Sequence, residues 1–185
     1  MAGRLFVVSG PAGVGKGTVI QLLRKRRPDL ALSVSATTRS PRPGEVEGVS
    51  YYFMDDEAFQ QLVREGGFLE WAKVHTHYYG TPRQQVESKL RDGSLILEID
   101  PQGAFNVRRA MPDAVLIFIA PPSIDELRRR LAGRGTESGA EFEKRMQDAA
   151  IELEASKDYD EVIVNDQLET TVDELAAIME RYEHQ

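Results

Sequence analysis

The sequence predicts a three-layer α/β/α domain built around a parallel sheet. Short apolar segments typical of buried strands alternate with segments whose apolar residues recur at helical spacing. Within residues 5–20, an apolar strand, a glycine-rich loop and a helix start follow one another directly. Strands that alternate with helices favour a parallel sheet whose two faces are both covered.

The first half of the chain begins with one strand–helix unit and then becomes irregular. Pro28 ends the first helix, because proline has no backbone N–H to continue it. Two glycines, Gly66 and Gly67, end a second, shorter helix. After the strand at 5–8, the predicted elements are a helix at 16–26, a strand at 30–35, an irregular segment at 36–50, a strand at 51–54, a helix at 55–65, a strand at 68–74 and a closing segment at 78–82.

From Pro82 onward the regular alternation of strands and helices resumes. The predicted elements are helix 83–91, strand 94–100, helix 102–109, strand 115–119, helix 123–131, a long charged helix ending near 156, strand 161–165 and a C-terminal helix from 171. The patterns Ser-x-x-Glu at Ser123 and Thr-x-x-Glu at Thr171 predict capping boxes that open two of these helices. We find no internal repeat and no low-complexity linker.

Composition narrows the functional classes. A chain of 185 residues with 41% hydrophobic residues fits one ordinary domain, and no apolar run approaches a membrane span. The net charge of −7 argues against a general nucleic-acid binder. Residues 1–45 nevertheless carry eight Lys/Arg against two Asp/Glu, which suggests local anion sites. The absence of cysteine excludes disulfides and thiolate metal sites, and we expect a cytoplasmic protein without a signal peptide.

The glycine-rich loop predicts a phosphate-binding site. Gly10, Gly15 and Lys16 fit the pattern G-x-x-x-x-G-K between a strand and a helix. Backbone N–H groups, the helix N-terminus and the lysine would together hold an anion. The usual Ser or Thr after the lysine is replaced by Gly17, and the hydroxyl comes one position later, at Thr18. How the chain holds a metal therefore stays open.

The irregular segment carries residues suited to a second phosphorylated ligand. Arg39 and Arg42 lie in a Pro/Gly-rich stretch, and a guanidinium group matches two phosphate oxygens; alone, they could equally be solvated. Glu70 lies in an apolar strand, where an ionised carboxylate needs donors or must face solvent. Guanine offers two adjacent N–H donors, whereas adenine presents an acceptor at N1. We interpret Trp71 as a core aromatic.

Two weaker signals have ordinary explanations. His75 and His77 could form a metal pair, but two imidazoles without a third ligand are weak evidence. The acidic residues between 141 and 161 are interpreted as a solvated helix face rather than a calcium site.

Short motifs along nearly the whole chain resemble those of guanylate kinases, in the order found in that family. Each piece is short, but the combination is highly specific. The motifs are GPAGVGKGT (10–18), RSPRPG (39–44), YYF (51–53), FLEW (68–71), YYG (78–80), IDPQG (99–103), FIAPPS (118–123), RLAGRGTE (130–137) and VND (164–166).

The resemblance implies a nucleoside-monophosphate kinase of the P-loop class, with a single domain over residues 1–185. It implies a core over about 4–34, 82–125 and 157–185, a small mixed GMP-binding insertion over about 35–81, and a helical lid over about 126–156. The implied reaction is transfer of the γ-phosphoryl group of ATP to GMP, with Mg²⁺ accompanying ATP.

The resemblance also implies roles for individual residues. Residues implied at ATP are Gly10, Pro11, Ala12, Gly13, Val14, Gly15, Lys16, Gly17, Thr18 and Asn165. Residues implied at GMP are Ser35, Arg39, Arg42, Tyr51, Glu70, Tyr79, Thr81 and Asp100. Residues implied in phosphoryl transfer are Lys16, Arg39, Arg42, Arg130, Arg134 and Arg145. No direct metal ligand is implied, and Asp100 is a candidate through water. At Thr81 the family commonly has Ser, which keeps the hydroxyl.

Two other functions remain open at this point. One is a guanylate-kinase-like protein-binding module without catalysis, which would be expected to lack the phosphate loop or its lysine. The other is a related kinase that acts on another phosphorylated acceptor, against which Ser35, Glu70 and Thr81 argue. Neither nucleic acid nor a membrane is expected as a partner, and the sequence leaves open the oligomeric state, the rates, the use of dGMP and the resting conformation.

Overall fold

A computed structural model describes residues 3–74, 76–133 and 139–185. The strands are β1 (Leu5–Ser9), β2 (Ala31–Leu32), β3 (Ala36–Thr37), β4 (Tyr52–Phe53), β5 (Phe68–Val74), β6 (His77–Pro82), β7 (Leu95–Glu98), β8 (Val115–Ala120) and β9 (Glu161–Val164). The helices are α1 (Lys16–Arg26), α2 (Asp56–Arg64), α3 (Arg83–Asp92), α4 (Pro101–Ala110), α5 (Ile124–Ala132), α6 (Gly139–Ala155) and α7 (Leu168–Glu183), with one 3₁₀ turn at Ser156–Asp158.

Five strands form a parallel sheet in the order β2-β7-β1-β8-β9. Side chains alternate along the central strand β1, and this alternation builds a core on each face. Phe6 and Val8 pack into one cluster with residues of α1 and α7, and Leu5 and Val7 pack into another with residues of α3 and α4. Helices therefore cover both faces, and the predicted three-layer α/β/α class is confirmed.

A second, mixed sheet has the order β4-β3-β6-β5 and its own small core of Ala36, Phe59 and Phe68. It occupies the irregular region of the sequence. Of the strand predicted at 30–35, only Ala31–Leu32 is a strand of the first sheet, because the chain then crosses to the second sheet, where the next strand begins at Ala36. The prediction did not include β6, which pairs with β5 as an antiparallel ribbon.

Two further sequence predictions are wrong. Trp71 is 40% exposed rather than part of the core, because alternation along β5 turns Glu70 and Ala72 inward and Trp71 outward. Thr171 does not cap the last helix, since α7 already begins at Leu168. The Thr171 hydroxyl instead lies within the helix, where Oδ1 of Asn165 at 2.9 Å and the carbonyl of Gln167 at 3.0 Å both lie within reach of its single proton.

The other predicted cap forms as expected at Ser123, whose Oγ accepts from the backbone N–H of Glu126 over 3.1 Å. Glu126 does not return the bond; its carboxylate pairs with Arg130 on the next turn. Among the described residues we find no helix with both the length and the apolar character needed to span a bilayer.

Candidate active site

A cleft of about 460 Å³ lies between the two sheets. The glycine-rich loop, the inner side of the mixed sheet, the end of β7 and Glu152 of α6 line it. The predicted site residues on its wall are Gly10, Ala12, Lys16, Ser35, Tyr51, Glu70, Tyr79 and Asp100. The fold thus brings the predicted loop and the predicted acceptor residues to one cavity, although they are separated by up to about 90 positions in sequence.

The loop surrounds the start of α1, which begins at Lys16. The Lys16 ammonium group donates to the backbone carbonyl of Gly10 across the loop. Gly15 has a φ of 98°, and a Cβ there would lie 2.8 Å from Nδ2 of Asn165. Only glycine satisfies both conditions, so the second glycine of the motif is required by the backbone conformation and by the position of Asn165.

Asn165 supports the loop from behind. Its Nδ2 donates to the carbonyl of Val14 over 2.7 Å, and its Oδ1 accepts from the Thr171 hydroxyl over 2.9 Å. Arg130 Nη1 donates to the backbone carbonyl of Asn165 over 3.1 Å. The Asn165 side chain is buried, so both ends of its amide are committed to the protein. Predicted contacts of Asn165 with adenine and of Arg130 with the transferring phosphate stay predictions.

Glu70 and Thr81 form a buried pair across the β5–β6 ribbon. The Thr81 hydroxyl donates to Oε1 of Glu70 over 2.6 Å. A Cβ built on Gly103 would lie 3.2 Å from the other oxygen, Oε2, so α4 approaches the carboxylate closely. Burial raises the pKa of Glu70, the charge of Asp100 raises it further, and the hydrogen bond from Thr81 opposes both effects. The alternative in which Glu70 faces solvent is excluded.

Arg39 lies over the Tyr51 ring, with its guanidinium carbon 5.4 Å from the ring centroid. Its two terminal nitrogens bind both carboxylate oxygens of Glu45, at 2.8 and 3.0 Å. The same carboxylate accepts from the backbone N–H of Arg42 over 2.7 Å. The hydrogen bonds from Arg39 hold the pKa of Glu45 at about 2, so this loop is organised around one ionised acid.

Several predicted residues lie apart from the cleft wall. Arg42 and Arg145 are exposed, the first on the loop before β4 and the second on α6. Arg134 lies outside the described residues, as does His75.

Three acidic side chains reach the cleft near Lys16. Asp100 caps α4, with Oδ1 accepting from the N–H of Gly103 over 2.7 Å. Glu98, at the end of β7, and Glu152, on α6, join Asp100 on the cleft wall. Burial raises the pKa of Glu98, and it raises that of Glu152 to about 7, while Lys16 opposes the shift in both.

Neither Glu98 nor Glu152 is among the site residues predicted from the sequence. Glu98 carried a usable signal, since it ends a buried strand one residue before Ile99 and Asp100. Glu152 carried a weaker one. It follows Met146 and Ala149, both buried, at spacings typical of one helix face, although the helix as a whole looked solvated. Within the described part of the chain, no three His, Cys, Asp or Glu side chains form a group that could hold a metal.

The sequence model of the family described as guanylate kinase matches residues 2–182. The chain belongs to the guanylate kinase family. A guanylate kinase of Thermobifida fusca is 54% identical over 177 residues, covering 95% of this chain and 90% of the relative. Another, from Synechococcus sp. strain CC9311, is 50% identical and covers 93% of this chain and 91% of the relative.

A solved structure supports the same assignment. The crystal structure of guanylate kinase from Anaplasma phagocytophilum has a TM-score of 0.81 and 37% sequence identity, covering all of this chain and 88% of that one. The resemblance drawn from the motifs is thereby confirmed over nearly the whole chain.

Proposed function

We propose that the cleft of this guanylate kinase holds ATP at the glycine-rich loop and GMP against the mixed sheet. The enzyme transfers the γ-phosphoryl group of ATP to GMP and releases ADP and GDP. One observation carries the site assignment. The loop lysine, Lys16, and the buried guanine-reading candidate, Glu70, line the same cavity from opposite subdomains.

On the ATP side, the backbone of the loop and the Lys16 ammonium group bind the phosphates. The loop residues are Gly10, Pro11, Ala12, Gly13, Val14, Gly15, Gly17 and Thr18. Lys16 donates to the carbonyl of Gly10, so its ammonium group lies within the loop that phosphate would enter. Thr18 serves a phosphate oxygen with its hydroxyl. Asn165 holds the loop in shape through Val14.

On the GMP side, Glu70 accepts the two adjacent N–H groups of guanine, and hydroxyls of Ser35 and Thr81 complete the base site. Arg39 and Arg42 bind the GMP phosphate, assisted by the hydroxyls of Tyr51 and Tyr79. The Tyr51 and Tyr79 rings lie 6.1 Å apart on one wall of the cleft, next to the Arg39 guanidinium. Asp100 faces the GMP side from the end of the first sheet.

The acceptor needs no general base. The second pKa of a phosphate monoester is about 6, so GMP already presents an anionic oxygen near neutral pH. The protein therefore has to align two phosphates and neutralise their charge. Lys16 supplies positive charge from the glycine-rich loop, and Arg39 and Arg42 supply it from the loop before β4. Arg130, Arg134 and Arg145 are proposed to add to it from the lid over about 126–156.

We infer that Mg²⁺ accompanies ATP. Mg²⁺ is usually held by one or two carboxylates together with substrate phosphates and water. The residues present fit this requirement, because Glu98 and Asp100 bring carboxylates to the cleft wall near Lys16. Asp100 would hold the ion through water. When bound, the ion would neutralise charge on the phosphate oxygens.

Two competing functions find less support. A non-catalytic binding module would not need an intact phosphate loop with its lysine. A kinase for another acceptor would not need a buried carboxylate paired with a hydroxyl at the base site, since an adenine N1 would face it acceptor to acceptor. The cytoplasmic location and the absence of nucleic-acid or membrane partners remain expectations from the cysteine-free, acidic sequence.

The test is ADP release with GMP, AMP, CMP and UMP as separate acceptors, and we expect release with GMP. Absence of GMP-dependent release would refute the assignment. In parallel, Lys16→Ala and Arg42→Ala should each lower kcat by at least about 100-fold without lowering Tm, because each removes charge stabilisation from the transferring group. Lys25→Ala, an exposed lysine on α1, is the matched control. Normal turnover in either variant would disprove its assigned role.

A further inference from the structure

The chain crosses between the two sheets at one position on its way out and at another on its way back. On the way out, Ser33 donates its backbone N–H to Ile96 of the first sheet over 2.9 Å. Two residues later, Ser35 accepts from the N–H of Tyr52 in the mixed sheet, also over 2.9 Å. Val34 lies between these two ladders. On the way back, β6 ends at Pro82 and α3 begins at Arg83 without a connecting loop.

Gln85, in the first turn of α3, binds the backbone of Val34. Its Oε1 accepts from the N–H of Val34 over 2.8 Å, and its Nε2 donates to the carbonyl of Val34 over 3.2 Å. The Ser33 hydroxyl donates to the same Oε1 over 2.9 Å. A side-chain amide thus pairs with Val34 as a neighbouring strand would, and it joins the outgoing crossing to the returning one.

Other side chains on the same edge have a different arrangement. Because β2 is an edge strand of the first sheet, its outward carbonyls lack a strand partner. Lys89 Nζ donates to the carbonyl of Leu32 over 2.6 Å, and Arg24 Nε donates to that of Leu30 over 3.3 Å. Each satisfies a single carbonyl before the crossing. Gln85 binds both backbone groups of the residue at the crossing itself.

We propose that Gln85 is a positioning residue for the GMP subsite, an inference that rests on the function proposed above. Ser35 follows Val34 directly and lines the cleft. Thr81, which donates to Glu70, lies four residues before Gln85. The amide therefore fixes the orientation of the mixed sheet, with its base-reading side chains, relative to the first sheet. The glycine-rich loop joins β1 to α1 and does not pass through this crossing.

The test replaces Gln85 by Met, which keeps the length of the side chain and removes its hydrogen bonds. We expect the KM for GMP to rise about tenfold, because paired backbone groups lose their partners at the crossing. The KM for ATP should change by less than about twofold. Gln85→Glu keeps the acceptor for Val34 and Ser33 but loses the donor, so its KM for GMP should lie between those of wild type and Gln85→Met. It also serves as the test variant if Gln85→Met fails to fold.

Two matched controls separate positioning from general stability. Gln84→Met changes an exposed neighbour on the same helix and should behave as wild type. Lys89→Met removes the contact with the carbonyl of Leu32, which lies before the crossing. It should lower Tm and leave the KM for GMP and the KM for ATP nearly unchanged. The inference would be overturned if Gln85→Met raised the KM for GMP and the KM for ATP equally. It would also be overturned if Lys89→Met raised the KM for GMP as much as Gln85→Met does. If wild type itself failed to phosphorylate GMP, the proposed function would be at fault instead.

Discussion

The hydroxyl of Thr81 donates to Oε1 of Glu70 over 2.6 Å, and both side chains are buried at the base of the cleft. This bond uses one carboxylate oxygen and orients the group before any ligand arrives. Burial keeps the pKa of Glu70 above its ordinary value in the free protein. Guanine N–H groups would bind the ionised form, so GMP should lower this pKa again.

We expect Glu70→Gln to weaken GMP binding by about 10- to 100-fold while leaving ATP binding unchanged, because an amide can no longer accept from both guanine N–H groups. Wild type should also release a proton on binding GMP, at a pH between the bound and free pKa values of Glu70. Calorimetry in buffers of different ionisation enthalpy measures both quantities.

The GMP phosphate also titrates, so the informative number is the difference in released protons between wild type and Glu70→Gln. The phosphate contributes equally to both proteins, and only the carboxylate differs. If wild type and Glu70→Gln released equal numbers of protons, or if Glu70→Gln weakened GMP binding and ATP binding equally, Glu70 would not be the residue that recognises the base.

Glu45 organises the arginine loop before GMP binds. It accepts from Arg39 and from the backbone N–H of Arg42, so Glu45→Ala removes three hydrogen bonds at once. We expect the KM for GMP to rise by about three- to tenfold, because without these hydrogen bonds the loop must be ordered when GMP binds. The KM for ATP should not change. Steady-state kinetics with each substrate varied in turn measures both.

If Glu45→Ala lowered the KM for GMP, Glu45 would be competing with the phosphate for Arg39 rather than holding the loop ready. Glu57→Ala, an exposed acid on α2, controls for the change in net charge.

Asn165 should matter for ATP and not for GMP. Asn165→Ala removes the closer of two side-chain donors to the carbonyl of Val14, since Arg130 Nη1 lies 3.5 Å from it, and leaves the Thr171 hydroxyl only backbone acceptors. We expect a loss of about 1–3 kcal/mol in the free energy of unfolding and a KM for ATP raised several-fold. Denaturant unfolding and kinetics test the two parts. Asp166→Ala, at the exposed next position, is the control; a larger effect on GMP than on ATP would contradict the role.

Glu152 should make stability depend on pH. Its pKa is raised from 4.5 to about 7, so between these values the folded state holds a proton that the unfolded state has released. Stability contributed by this group is therefore present below pH 4.5 and is lost as pH rises through about 7. In Glu152→Gln, Tm should fall less between about pH 5 and pH 8 than in wild type.

Thermal unfolding at the two pH values provides the measurement, and Glu154→Gln, on the exposed side of the same helix, is the matched control. An identical fall in Tm for wild type and Glu152→Gln would mean that another group is responsible.

Local patterns predicted most of the strands, in the parallel sheet and in the mixed one. The period of apolar residues located β1, β5 and β8 almost residue by residue, since burial on both faces or alternation leaves a strong signal. The errors in the predicted element boundaries occur where contacts between distant segments determine where a strand or helix begins. Residues 30–35 are predicted as one strand, but only Ala31–Leu32 pairs in the first sheet, because the chain crosses to the second sheet directly afterwards. Thr171 fits a capping box locally, but Asn165 and Gln167 supply better partners from the preceding turn.

The amino-acid sequence was enough to predict the phosphate loop and the fold class and to propose which residues bind the acceptor. The loop is predicted by the G-x-x-x-x-G-K spacing together with the apolar strand before it and the helix after it. The acceptor residues are proposed from motifs whose order along the chain matches the family. The tertiary structure decided which acids face Lys16, that Glu70 is buried, and that Gln85 joins the two crossings. Those facts depend on contacts between segments distant in sequence, and no local periodicity encodes such contacts. In the same way, the cleft exists only because the fold places the mixed sheet opposite the glycine-rich loop.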